Sequence, residues 1–206
     1  PIMQFVGPPF TFSIRQVGSN CGIIGQNALV FVDSTVYWMS DEGGFFMYDG
    51  SVKRMPCLVE DFVFKTTGTN PGLNFNAGEQ VFASHNSLFN EIIWYYPDDS
   101  SSFVNRIVVY NYMENTWVTG TLARSSYVDK VIFDKPYATE FIENSAPNFP
   151  TVSGISASQG KSIYYEHETG VNEVDFNGNK TAINAFIQSG DFDLDVNGEG
   201  EFFFFF

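Results

Sequence analysis

Residues 193–198 read Asp-Leu-Asp-Val-Asn-Gly, with side-chain oxygens at alternate positions ahead of a glycine. That is how a calcium loop opens, with oxygen ligands at its first, third and fifth positions and a sharp turn at the sixth. The loop needs a bidentate glutamate at its twelfth position, which here falls on Phe204. The strict alternation from Asp191 (DFDLDV) reads better as a strand with an acidic solvated face. No metal site is assigned.

His85, in the run SHNS, and His167, in EHET, are the two histidines, so any Ser-His-Asp or Cys-His chemistry must pass through one of them. No serine sits in a Gly-x-Ser-x-Gly elbow, and each histidine reads as a strand-end residue making ordinary hydrogen bonds. The 24 acidic residues make carboxylate pairs easy to assemble, so pairing alone says little about glycoside cleavage. Asp98-Asp99 and Asp41-Glu42 fall in turns and read as solvated caps. Cys21 and Cys57 form no disulfide framework and read as reduced, buried thiols. No phosphate-binding glycine loop, dinucleotide fingerprint or metal-spaced Cys/His set is present. No catalytic, cofactor-binding or metal-ligating residue is therefore assigned, no cofactor is expected, and the chain does not read as an enzyme.

The elements that would carry such residues read as strands. With 206 residues, 44% hydrophobic, and with 23 Phe and 10 Tyr against 17% charged residues, the composition suits a globular all-β chain. Residues 90–122 hold the strongest pattern. Two apolar runs, 92–96 and 106–112, flank the loop Pro97-Asp98-Asp99-Ser100-Ser101-Ser102, and a third short strand starts at Trp117 before Gly120 interrupts it. Residues 28–55 read as four consecutive strands with turns at Asp33-Ser34, 41–44 and Asp49-Gly50, the last a two-residue type I′ signal. Residues 10–15 alternate as a half-buried strand. Apolar spacing after Pro56 predicts one short helix over 56–64. Further strands are expected at 80–84, 130–133, 137–142, 161–167, 180–188 and 191–196, with a linker over 144–160 and a hairpin turn at Asn177-Gly178.

Val36-Tyr37-Trp38, Ile93-Trp94-Tyr95 and Ile163-Tyr164-Tyr165 each open a strand-turn-strand unit at unequal intervals. Radially arranged sheets tolerate such insertions, which favours antiparallel four-stranded sheets arranged as part of a β-propeller. Residues 1–206 read as a single β-rich domain. A start at Pro1 and an end in five phenylalanines suggest a fragment of a longer propeller-containing chain. A formal net charge of −14 argues against a surface that neutralises phosphates, and no apolar run approaches the length of a spanning helix, so no membrane insertion is expected.

In order along the chain, VYWMSDEGGFFMYDGSVKRMPC, SHNSLFNEIIWYYP, RIVVYNYMENTW, GTLARSSYVD, IYYEHETGVN and AFIQSGDFDL resemble a family of tail proteins of tailed bacteriophages, related to the propeller-bearing nozzle proteins of short tails. The resemblance spans about residues 28–194. It implies a structural protein of the virion tail, made in the host cytoplasm, of which several copies, six by the family pattern, form a ring around the channel through which DNA leaves. Its partners would be copies of itself, adjacent tail or adaptor proteins, and passing DNA held without specific binding. The alternative is a glycan- or receptor-binding β-propeller at a virion surface. A sialidase would show Asp-box repeats, and Glu114-Asn115-Thr116-Trp117 shares only the end of one.

Overall fold

The chain starts with a hairpin in which β1 (Ile2–Phe5) and β2 (Phe12–Arg15) pair antiparallel, Met3 opposite Ile14 and Phe5 opposite Phe12. These coordinates are a computed structural model that describes residues 1–142, 160–174, 179–183 and 185. They divide into two units, Pro1–Thr169 and Gly170–Phe206. The fold class is all-β, built of antiparallel sheets with one short α-helix among the described residues. The alternation in β2 is real, but the strand is exposed throughout rather than half-buried, because β1 is its sole ladder partner among the described residues.

The first four-stranded sheet runs β3 (Leu29–Val32), β4 (Thr35–Met39), β5 (Phe45–Tyr48), β6 (Val52–Met55), in that order. Its strands coincide with those expected from turn chemistry. The type I′ turn, however, is Asp33-Ser34, where both φ values are positive (45° and 72°) between the paired Val32 and Thr35. At the third turn Tyr48 pairs with Val52, so Asp49-Gly50-Ser51 is a three-residue loop in which Gly50 alone takes positive φ (116°). The extra residue spares Asp49 the left-handed backbone that a type I′ turn would impose.

The helix expected over 56–64 contracts to α1 (Glu60–Phe64), with Val59 at its N-cap and no side-chain cap. Leu58 is 99% exposed and Val63 is the buried residue of α1, so the apolar spacing did not mark a buried stripe. A 3₁₀ segment, Phe75–Gln80, follows, capped by the Asn74 side chain, which accepts from Asn76 N at 3.1 Å. The second sheet is β7 (Phe82–Asn86), β8 (Glu91–Tyr96), β9 (Arg106–Asn111), β10 (Thr116–Thr121). Gly120 does not interrupt β10. It pairs with Ile107, and a Cβ there would come within 3.2 Å of the Ile107 side chain.

β11 (Ser126–Val128), β12 (Tyr137–Ile142) and β13 (Lys161–Glu166) form a third sheet. Residues 130–133, expected as a strand, lie in the β11–β12 loop, because no strand among the described residues offers them a ladder. Consequently Ile163-Tyr164-Tyr165 sits on the third strand of its sheet, whereas Val36-Tyr37-Trp38 and Ile93-Trp94-Tyr95 sit on the second strand of theirs. In the second unit, β14 (Asn172–Val174) pairs with β15 (Lys180–Ala182). Most of the expected linker over 144–160, the Asn177-Gly178 turn, the strand at 191–196 and the calcium-like run at 193–198 lie outside the described residues. Among those described, no helix is long and apolar enough to cross a membrane.

The three sheets follow one another through their first strands. Asn27, just before β3, bridges Phe82 on β7 in parallel, and Ala83 N donates to Asn27 O at 2.8 Å. β7 in turn lies against β11, with Ser87 N donating to both Asp129 oxygens at 3.2 Å. β8 therefore has two buried faces. Ile92, Trp94 and Tyr96 join the core shared with the first sheet, where Phe45 packs on Trp94 and on Trp117, while Tyr95 packs on Phe82 and Tyr127. A strand buried on both faces must be apolar at every position, which is why 92–96 reads as an unbroken run.

Candidate functional site

The side of the second sheet that carries Tyr95 meets the third sheet around Arg124, the residue two positions before β11. A buried guanidinium must be paired and hydrogen-bonded to offset its lost hydration. Arg124 is 9% exposed and donates from Nη1 to Ala123 O at 2.6 Å and to Glu140 Oε2 at 3.3 Å. Its Nε donates to His167 Nε2 at 2.9 Å, and the guanidinium lies over the Tyr165 ring, 4.1 Å from the centroid. Since Nε2 accepts, the proton of His167 is on Nδ1 and the ring is neutral. Burial, helped by the adjacent Arg124 charge, lowers its pKa from 6.5 to about 4. A histidine whose free lone pair is already taken by a guanidinium has no base to offer a substrate.

Beside this cluster a cleft of about 200 Å³ opens between the two sheets, lined by Phe82, Phe103, Phe141, Gln80, Arg124 and Glu140 among others. Phe103 and Phe141 are half-exposed, with ring centroids 6.1 Å apart. Aromatic faces next to a polar pair can hold a flat ring with hydroxyls at its rim.

An acidic corner lies at the other end of the same seam. Asn86, fully buried, donates from Nδ2 to Glu91 Oε2 at 3.2 Å and to Glu168 Oε1 at 3.0 Å. Burial, and then the Glu168 charge, raises the pKa of Glu91. The hydroxyls of Ser84, Tyr95 and Tyr127 are buried in the same seam, and burial pushes both phenols well above their ordinary value. Among the described residues no group of three or more His, Cys, Asp or Glu side chains is placed to hold a metal ion.

His85 stands apart from His167. Its Nδ1 is 3.6 Å from Asp129 Oδ2, and its Nε2 is 3.1 Å from the Tyr112 hydroxyl, which donates on to Asn90 Oδ1 at 3.3 Å. This acid-imidazole-hydroxyl order resembles a relay, but the hydroxyl is a phenol engaged by Asn90, and the set ties β7 to the ends of β9 and β11. Asp98 is not the solvated cap its turn position suggested. It is buried and accepts from Ser100 N (3.1 Å), Ser100 Oγ (2.6 Å) and Arg106 Nε (2.9 Å). Burial alone would raise its pKa, yet those bonds outweigh it and the net shift is downward. Asp99, Asp41 and Glu42 are exposed.

Cys21 and Cys57 are free and half-buried, and burial pushes the Cys57 thiol up to about 12, so it is a poor nucleophile. Sequence reasoning passed over Arg124, Glu140, Phe103 and Phe141, which lie on three separate segments and share no spacing motif. No protein-family model matches the chain, and no curated protein matches it.

Proposed function

We propose that the chain is part of a β-propeller that forms a ring around the DNA channel of a short bacteriophage tail, as a structural component of the virion. The observation that carries the propeller reading is the succession of meanders whose first strands, β3, β7 and β11, lie side by side. Successive blades of a propeller are related in that way, each with its outer strands displaced from the axis. The sequence resemblance supplies the tail, the ring of copies, six by the family pattern, and the neighbouring tail or adaptor proteins.

Charge supports a channel that does not grip its cargo. A wall that bound phosphates would release counterions and hold the passing duplex. The chain has 24 acidic and 10 basic residues. Lys53, Arg54, Lys65, Arg106 and Arg124 each pair with a carboxylate of this chain. Screening confines the effect to side chains within about 8–10 Å of the lumen at physiological salt.

Electron microscopy of the purified chain tests the reading. A ring with a central channel, an acidic axis-facing surface and no duplex binding at about 0.15 M salt are expected. An isolated monomer without a channel would overturn it. So would tight, salt-sensitive DNA binding through Lys53, Arg54, Arg106, Arg124 and Lys130.

The cleft at Phe103 and Phe141 favours a second reading, a glycan- or receptor-binding module at a virion surface. Binding of host-surface oligosaccharides on a glycan array, lost in Phe103→Ala and Phe141→Ala, would support that reading over the first.

A further inference from the structure

The register of the β1–β2 hairpin places Met3, Phe5, Phe12 and Ile14 on one face and Gln4 and Ser13 on the other. The four apolar side chains are 66%, 67%, 55% and 72% exposed, although Phe5 and Phe12 touch edge to face at 5.8 Å. Two strands with one bare apolar face are marginal by themselves, and among the described residues no third strand joins them. A surface of this kind marks a docking site.

Charge identifies what docks. Residues 1–32 contain no Asp or Glu and carry Arg15 as their one charged side chain, so all 24 acidic residues lie from Asp33 onward. Two copies of a chain with net charge −14 bring carboxylates against carboxylates over most of their surfaces. The amino-terminal hairpin is the stretch that can approach another copy without that repulsion.

A seat of matching chemistry exists on the same chain. In the β11–β12 loop, Val131, Ile132 and Phe133 are 82%, 88% and 52% exposed, between Asp129-Lys130 and Asp134-Lys135, whose charges cancel. Loop tips are ordinarily polar, and three consecutive apolar residues in water are an uncovered surface.

We propose that the apolar face of the β1–β2 hairpin docks on the Val131-Ile132-Phe133 loop of a second copy. The two patches differ, so the contact is head-to-tail, and repeating it from copy to copy closes a ring when the rotation allows. The inference rests on the ring reading for its setting, since a head-to-tail contact is what a cyclic assembly requires.

Sedimentation velocity on the full chain at about 0.15 M salt, near physiological screening, tests it. One variant carries Phe5→Ser with Phe12→Ser, and the other carries Val131→Ser with Ile132→Asp. All four sites are exposed, and the near-ultraviolet signal of the buried Trp94 reports that the sheets remain intact. The wild type is expected to assemble, and each variant alone to stay monomeric. An equimolar mixture should stop at a dimer, because the hairpin variant keeps its loop and the loop variant keeps its hairpin, leaving one contact intact. Arg15→Glu, which puts a carboxylate on the hairpin, should weaken assembly about tenfold or more at low salt and less at high salt, since screening shortens the reach of the added repulsion.

Wild-type assembly that survives the loop variant, or a mixture that gives no dimer, would overturn the docking. A ring with a channel that both variants leave unchanged sinks the docking and keeps the ring reading. Head-to-tail assemblies without a channel do the reverse.

Discussion

The indole Nε1 of Trp94, on β8 of the second sheet, donates to the carbonyl of Ala28 at the edge of the first sheet at 3.2 Å, and both residues are fully buried. One side chain thus joins two sheets 66 residues apart in sequence. Trp94→Ala should cost about 3–5 kcal/mol, and Trp94→Phe about 2 kcal/mol from the lost bond and a partial void. Trp117 is only half-buried, although its indole donates to Pro56 O at 3.0 Å, so Trp117→Ala should cost less than Trp94→Ala. Urea midpoints check the order, and a costlier Trp117→Ala would contradict it.

Asp98 and Arg106 form the most enclosed ion pair among the described residues for which both exposures are low, with side chains 4% and 18% exposed at 2.9 Å. Removing one partner of such a pair leaves the other charge uncompensated. Asp98→Ala should therefore destabilise by about 3 kcal/mol, and Arg106→Ala by a similar amount. A double variant no worse than either single one would show that the pair acts as a unit.

The His167 ring is neutral in the folded chain down to about pH 4, whereas in the unfolded chain it takes a proton below 6.5. Between those values the unfolded state binds more protons, so its stabilising contribution is complete above pH 6.5 and is lost as pH falls to about 4. The loss should be on the order of 2–3 kcal/mol. Glu91 works in the opposite sense, because its raised pKa favours the fold on the acid side. His167→Gln keeps an acceptor for Arg124 but cannot titrate. Its unfolding free energy should lack the decline that the wild type shows over this window, and parallel profiles for the two proteins would refute the assignment.

Ser34 holds φ at 72° in the type I′ turn and Gly50 holds φ at 116°. Ser34→Gly should stabilise by about 0.5–1 kcal/mol, because glycine takes positive φ without a Cβ penalty. Gly50→Val should destabilise by about 1 kcal/mol or more for the converse reason. Thermal melts of the two variants should move in opposite directions.

The reach of sequence patterning is local. Turn formers and aromatic alternation located β3 to β6 and most of β7 to β10, because a hairpin's register depends on the few residues between its strands and on which face is apolar. Residues 130–133 form a loop for the complementary reason: the run Lys-Val-Ile-Phe has strand chemistry, but a strand exists only where a neighbour supplies a ladder, and none does among the described residues. Helix length at 56–64 depended on which of Leu58 and Val63 found cover, which no spacing encodes. The cluster of Arg124, Glu140, Tyr165 and His167, and the burial of Asp98, were decided by tertiary structure alone. Their partners come from separate segments, and the free energy of a charged side chain is set by the groups packed around it rather than by its neighbours in the chain.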